Sequence, residues 1–202
     1  MVSEAGSASE PQYLPPTATK SAKIVVVGQF GVGKTTLVGS VSEIEPLRTE
    51  ERITQASVDI DDLSGLETKR TTTVAMDFGR ITLTDDLVLY LFGAPGQRRF
   101  WDLWKGLVVG AIGLLVIVDT RRLAQSFEVL DQLEEQGLPF AVAVNNFPDS
   151  EHYSEDELRA ALDLLPDTPV VAFDARDHDS SLKALIALVA SAARYTPLES
   201  TA

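Results

Sequence analysis

The chain has 202 residues, 45% of them hydrophobic, which suits one domain with an ordinary core. A formal charge of −13 and a pI of about 4.5 argue against a nucleic-acid partner, which wants a basic face, and against direct adhesion to anionic lipid. There is no cysteine, so disulfides and thiolate metal sites are excluded, which fits a cytoplasmic protein.

Residues 1–20 are rich in Ser, Ala, Glu and Pro and read as a disordered tail; residues 196–202 read the same way. No basic region followed by an apolar core is visible near the start. Neither a Gly at position 2 nor a C-terminal prenylation box is present, so no direct membrane anchor is expected. Residues 21–195 form the expected domain. Its first strand is the apolar, β-branched run Lys23–Val27, and its first helix Lys34–Ser42.

Between them lies Gly28-Gln29-Phe30-Gly31-Val32-Gly33-Lys34-Thr35, a complete G-x-x-x-x-G-K-[ST] phosphate loop in the strand–loop–helix setting that the motif requires. Glycines let backbone N–H groups turn inward around a polyphosphate, and the helix N-terminus adds partial positive charge. Gly28, Gly31, Val32, Gly33, Lys34, Thr35 and Thr36 are therefore candidate nucleotide contacts. Lys34 bridges terminal phosphates in this reading, and the Thr35 hydroxyl serves Mg²⁺.

Further on, Val74–Leu83 and Leu87–Phe92 are strands paired antiparallel through Thr84-Asp85-Asp86. The apolar stretch Leu107–Val118 is too short to span a bilayer, and Ala111–Asp119 reads as a strand covered on both faces. Leu123–Gln136 is a helix stopped by Gly137 and Pro139, and Phe140–Asn145 a strand. Ser154–Leu164 is a helix opened by a Ser154/Glu157 capping box, Val170–Phe173 a strand, and Ser180–Ala193 the closing helix. The succession predicts an α/β P-loop NTPase: a mostly parallel six-stranded sheet with helices on both faces and nucleotide at the carboxyl ends of the strands.

Other segments narrow the class. Gly93-Ala94-Pro95-Gly96-Gln97 resembles the switch II segment Asp-x-x-Gly-Gln of Ras-like GTPases. That resemblance implies Gly96 on the γ-phosphate and Gln97 orienting the attacking water as the catalytic residue. Thr73-Val74-Ala75-Met76-Asp77-Phe78 resembles a Rab-type switch I, which implies Thr73 as a second hydroxyl on Mg²⁺. Val142-Ala143-Val144-Asn145 sits where the guanine motif Asn-Lys-x-Asp begins, and Asp174-Ala175-Arg176 looks like the Ser-Ala-Lys segment whose Ala amide reads guanine O6. With Val41–Glu50, Val74–Arg80, Phe100-Trp101 and Asp119-Thr120-Arg121-Arg122-Leu123, these segments resemble the conservon GTP-binding proteins of bacteria, over roughly Lys23 to Ala193. The resemblance implies a Ras-like G domain that binds GTP or GDP with Mg²⁺ and hydrolyses GTP slowly. It also implies a signalling role beside a roadblock/LC7-type protein and a sensor histidine kinase, with recruitment to the membrane through a partner.

The chain departs from that pattern at three places. Gly93 replaces the Asp that holds Mg²⁺ through water, which leaves the metal to Thr35, Thr73 and the phosphates; Asp77 and Asp119 are the other acids in range, both on strands. In the base motif, aligning Asn145 with the motif's Asn puts Pro148 at the Asp position, whereas Asn146 as the start restores Asp149; the stacking Lys is absent either way. Asn145 and Asp149 both stay as nucleotide-contact candidates, with Ala175 and Arg176. Finally, switch I is extended (residues 43–72) and holds Arg48, Arg52 and Arg70, each either a solvated arginine or an arginine finger in cis. Phe100, Trp101 and Trp104 either pack on the sheet or form a partner surface. Two rival readings stand beside the switch: a nucleotide-binding scaffold with little hydrolysis, and an ATP-using phosphate-loop protein.

Overall fold

A computed structural model describes residues 17–54, 71–95, 106–134 and 137–195, and the side chains of all of these except 48–54, 71–75 and 195. In chain order the elements are β1 (Lys20–Val27), α1 (Lys34–Val41), β2 (Leu47–Thr54), β3 (Thr71–Thr84), β4 (Leu87–Gly93) and β5 (Gly113–Val118). A 3-10 segment, Thr120–Ser126, then runs into α2 (Phe127–Glu134), followed by β6 (Phe140–Asn145), α3 (Glu155–Ala161), β7 (Val170–Phe173) and α4 (His178–Tyr195).

The strands lie in the order β2-β3-β4-β1-β5-β6-β7. β1 runs parallel to β4 and β5, and β5, β6 and β7 continue the parallel run, while β3 is antiparallel to both β2 and β4. The α/β architecture is the expected one, and the six anticipated strands are present. A seventh, β2, comes from Leu47–Thr54 inside the segment read as extended switch I. It sits at the sheet edge, and its composition of Arg and Glu suits an edge that must resist pairing with another chain.

Period-two alternation divides β1 between two cores. Ile24 and Val26 pack with Leu37, Leu115, Ile117, Phe173, Leu185 and Leu188 on the α1/α4 face. Val25 and Val27 pack with Leu114, Val116, Val129, Leu133, Val142 and Leu158 on the α2/α3 face. The four last residues of β1 are 0% exposed, so the phosphate loop springs from a rigid base. The capping box of α3 forms as anticipated: Ser154 Oγ accepts from Glu157 N, and a Glu157 carboxylate oxygen accepts from Ser154 N at 2.8 Å. The helix expected from Leu123 instead begins as the 3-10 segment, in which Arg122 takes a non-helical φ of −139°.

Candidate nucleotide site

The phosphate loop wraps one end of the parallel strands. Gly28 has φ of 140°, and a Cβ there would lie 2.5 Å from the Ile117 carbonyl oxygen of β5. Gly33, at the N-cap of α1, has φ of 111°, and its Cβ would lie 2.6 Å from Asn145 Nδ2. Both positions need glycine for conformation and for space. The Gly33 carbonyl accepts from Leu37 N at 2.8 Å, which opens α1 and leaves the amides of its first turn, Lys34 to Thr36, without intrahelical partners. Those amides are what an anion at the loop would meet.

Lys34 lies across the mouth of this loop. Its ammonium donates to the Gly28 and Gln29 carbonyls, each at 2.7 Å. Burial pulls its pKa down to about 8, with Asp77 opposing the shift. A desolvated cation held by two neutral carbonyls is poised for a phosphate group.

Beside it, the Thr35 hydroxyl donates to Asp77 Oδ2 at 2.6 Å. Asp77 is 7% exposed on β3 and stands directly opposite Gly93 of β4 in the antiparallel register. A Cβ at position 93 would lie 3.1 Å from both Cβ and Oδ2 of Asp77. The carboxylate therefore fills the space that a side chain on residue 93 would claim. Gly93 itself brings no acid, but Asp77, one of the two other acids in range, stands directly across from it on β3. The sequence signal was an Asp in the adjacent hairpin strand, which only the register brings opposite the glycine. Asp119, the other acid considered, is 1% exposed and taken up by arginines, as described below.

Asn145 closes the loop from the other side. It is 4% exposed at the end of β6; its Nδ2 donates to the Val32 carbonyl at 2.9 Å, and its Oδ1 accepts from Ala175 N at 3.0 Å. It thereby ties the phosphate loop to the segment Asp174-Ala175-Arg176. Val32 and Ala175 are 2% and 1% exposed, so Asn145→Ala strands one buried carbonyl and one buried amide. The expected loss is roughly 2–4 kcal/mol of unfolding free energy in the nucleotide-free protein, measured by urea denaturation. The Ala175 amide, the candidate reader of a purine oxygen, is held by Asn145 and would have to be shared with a base. Arg176 is exposed, and its guanidinium grips Asp174 at 2.9 and 2.7 Å, which pulls the Asp174 carboxyl down to about 2. Asp149 is exposed on the turn after β6, with Pro148 before it.

Thr73 lies in β3 opposite Arg52 of β2, and its side chain is outside the description. Gly96 and Gln97, together with Phe100, Trp101, Trp104 and Arg70, lie outside the described residues, as do both tails beyond residues 17 and 195. The side chains of Arg48 and Arg52 are likewise outside it.

A phosphate loop between the central strand and a following helix, in a sheet of this order, defines a phosphate-loop nucleotide-binding domain with the G-domain fold. Solved structures share that fold. The FeoB G domain from Methanococcus jannaschii superposes with a TM-score of 0.57 at 16% identity, covering 86% of this chain and 99% of that one. The cytosolic domain of the T. maritima FeoB iron transporter, in a GDP form, gives 0.61 at 16% identity over 87% of this chain and 65% of that one. The chain belongs to the family described as conserved hypothetical ATP binding protein, whose model matches residues 26–195. It is also 30% identical over 125 residues to the uncharacterized protein MJ1339 of Methanocaldococcus jannaschii, a span of 61% of this chain and 68% of that protein.

Proposed function

We propose that this protein is a small GTP-binding molecular switch that hydrolyses GTP slowly and alternates between GTP- and GDP-bound states. The observation that carries the reading is the joined set Lys34–Gly28/Gln29 and Thr35–Asp77 at the phosphate loop. In this reading the amides of residues Gly31 to Thr36 hold the phosphates, with the Lys34 ammonium moving from its carbonyls onto them. Gly96 contacts the γ-phosphate, Gln97 orients the water, and Asn145, Ala175, Arg176 and Asp149 lie toward the base.

A hydroxyl and a buried carboxylate are hard oxygen donors, so Thr35 and Asp77 suit Mg²⁺, with Thr73 as the third proposed contributor. When bound, Mg²⁺ neutralises phosphate charge and polarises the phosphoryl oxygens. Thr35 and Asp77 hold one another in place through their own hydrogen bond. The signalling role, the roadblock/LC7-type and sensor-kinase partners and a cytoplasmic location with partner-borne membrane recruitment rest on the sequence resemblance alone. No described helix is long and apolar enough to cross a membrane.

The base is the open part of the site. With Asn145 as the motif's Asn, Pro148 stands at the Asp position, and the family's description names ATP. This favours a second reading in which the purine is adenine. Calorimetric titration of the purified chain with GDP, GTP and ATP, each with and without Mg²⁺, tests both. Guanine nucleotides are expected to bind more tightly than ATP, and more tightly with Mg²⁺ than without. ATP binding as tight as GTP overturns the guanine assignment.

A further inference from the structure

Beside the phosphate loop lies a charged cluster that the proposed function leaves unused. Asp119, almost wholly buried, accepts from two arginines. Arg121 reaches it through Nε at 2.9 Å and Nη2 at 2.8 Å, and Arg122 through Nε at 3.3 Å and Nη2 at 3.1 Å. Both guanidinium groups are set against this one buried carboxylate, while a second acid, the exposed Asp149, stands near Arg121. A buried acid needs only one such partner to be neutralised, so the second arginine calls for another reason.

The two arginines face different ways. Arg121 lies over the Phe147 ring, with Cζ 3.8 Å from its centroid, and the nearby Asp149 adds to its stabilisation as a cation. Arg122, where the 3-10 segment departs from helical backbone, is directed at the phosphate loop. Its Nη2 donates to the Phe30 carbonyl at 3.3 Å, and a Cβ on Gly31 would lie 3.7 Å from the same nitrogen. Its side chain is 40% exposed, so the guanidinium meets solvent beside the loop that Lys34 crosses. An arginine has five N–H donors in a rigid fork, and those not spent on Asp119 and Phe30 remain available to an incoming anion.

We propose that Arg122 is an arginine finger carried in cis on the segment after β5. Its guanidinium contacts the phosphate chain of the bound nucleoside triphosphate and stabilises the charge that develops during hydrolysis. The inference rests on the triphosphate reading above and adds a catalytic residue to it. In the step concerned, water oxygen bonds to the γ-phosphorus while the bond from that phosphorus to the β–γ bridging oxygen breaks. The electron pair goes to the bridging oxygen, giving GDP, and the water proton is released to solvent with inorganic phosphate. Arg122 donates hydrogen bonds and transfers no proton. Asp119 acts as its positioning residue, holding the fork before nucleotide arrives. The arginine is then supplied by the 3-10 segment after β5, and none of the switch I arginines is required for the role.

The experiment is single-turnover hydrolysis of bound GTP by the full chain with Mg²⁺, for wild type, Arg122→Ala and Arg122→Lys, with GDP affinity measured on the same preparations. Arg122→Ala is expected to slow hydrolysis by about 10²-fold or more while GDP affinity stays within a few-fold. Arg122→Lys is expected to be slow as well, because an ammonium lacks the fork. Capture of GDP with aluminium fluoride gives a second readout where turnover is too slow to time: wild type forms the complex and Arg122→Ala does not. Hydrolysis and fluoride capture unchanged in Arg122→Ala overturn the proposal. So does an equal weakening of GDP and GTP with an unchanged rate per bound nucleotide, which would make Arg122 a brace of the loop only. A wild-type chain that binds neither GDP nor GTP overturns the nucleotide reading itself, and is recognised without any variant.

Discussion

Lys34→Met is expected to weaken GDP and GTP binding by about 10²- to 10³-fold while leaving the nucleotide-free domain as stable as before, or more so. The first half follows from removing one member of a charge-assisted pair at a partly desolvated site, worth roughly 2–5 kcal/mol, at about 1.4 kcal/mol for each factor of ten. The second half is less usual for a buried charge and follows from the geometry. Without nucleotide, the ammonium is satisfied by two main-chain carbonyls, and burial already lowers its pKa to about 8. That direction means the folded, empty chain holds the charged form at a cost. Met keeps the stem and drops the charge, and the relieved cost offsets the loss of the donor to the Gly28 and Gln29 carbonyls. Calorimetry with GDP reads the first effect, and thermal unfolding without nucleotide reads the second. A variant that binds GDP as wild type does would remove Lys34 from the phosphate site. A variant that loses binding together with stability would make the lysine structural.

How much of this was legible beforehand depends on the range of the interaction. The phosphate loop and the six expected strands rest on local signals: glycine spacing, apolar runs such as Ile24–Val27 and Leu114–Val118, turn residues at Thr84–Asp86, and the Ser154/Glu157 box. β2 was not legible, because Leu47–Thr54 carries Arg and Glu in place of a strand-like apolar pattern and takes its place by pairing with β3. The place of Asp77 opposite Gly93 depends on the β3–β4 register, which a turn of uncertain length does not specify from sequence. Arg122 was hidden by a wrong element boundary. An apolar period beginning at Leu123 suggests a helix starting there, yet Asp119 accepts from Arg121 N at 3.0 Å and caps a 3-10 turn that starts three residues earlier, at Thr120. That earlier start brings both arginines onto one carboxylate.

The Asp77–Gly93 pair gives the other large effect, and it separates a displaced acid from a lost one. If the carboxylate of β3 does the work for which Ras-like proteins use residue 93, Asp77→Asn should abolish most of the Mg²⁺ dependence of GDP affinity. The Thr35 hydroxyl would keep a partner in the asparagine oxygen, so the fold should survive. Gly93→Asp alone should be worse than a simple gain of an acid. Its Cβ would meet Asp77 at 3.1 Å, and two carboxylates would share one buried spot. Overpacking of this kind costs about 1–3 kcal/mol before the like charges are counted. Combining Asp77→Gly with Gly93→Asp exchanges the residues across one register pair, which removes both the crowding and the repulsion. The double variant should then recover the Mg²⁺ dependence that Asp77→Asn loses, with a coupling energy of about 0.5–3 kcal/mol between the sites. The readout is the ratio of GDP affinities with and without Mg²⁺ in wild type, Asp77→Asn, Asp77→Gly, Gly93→Asp and the double variant. An unchanged ratio in Asp77→Asn would confine Asp77 to holding Thr35. A double variant no better than Gly93→Asp alone would show that an acid on β4 cannot stand in for one on β3, and that the two strands are not interchangeable supports for the metal.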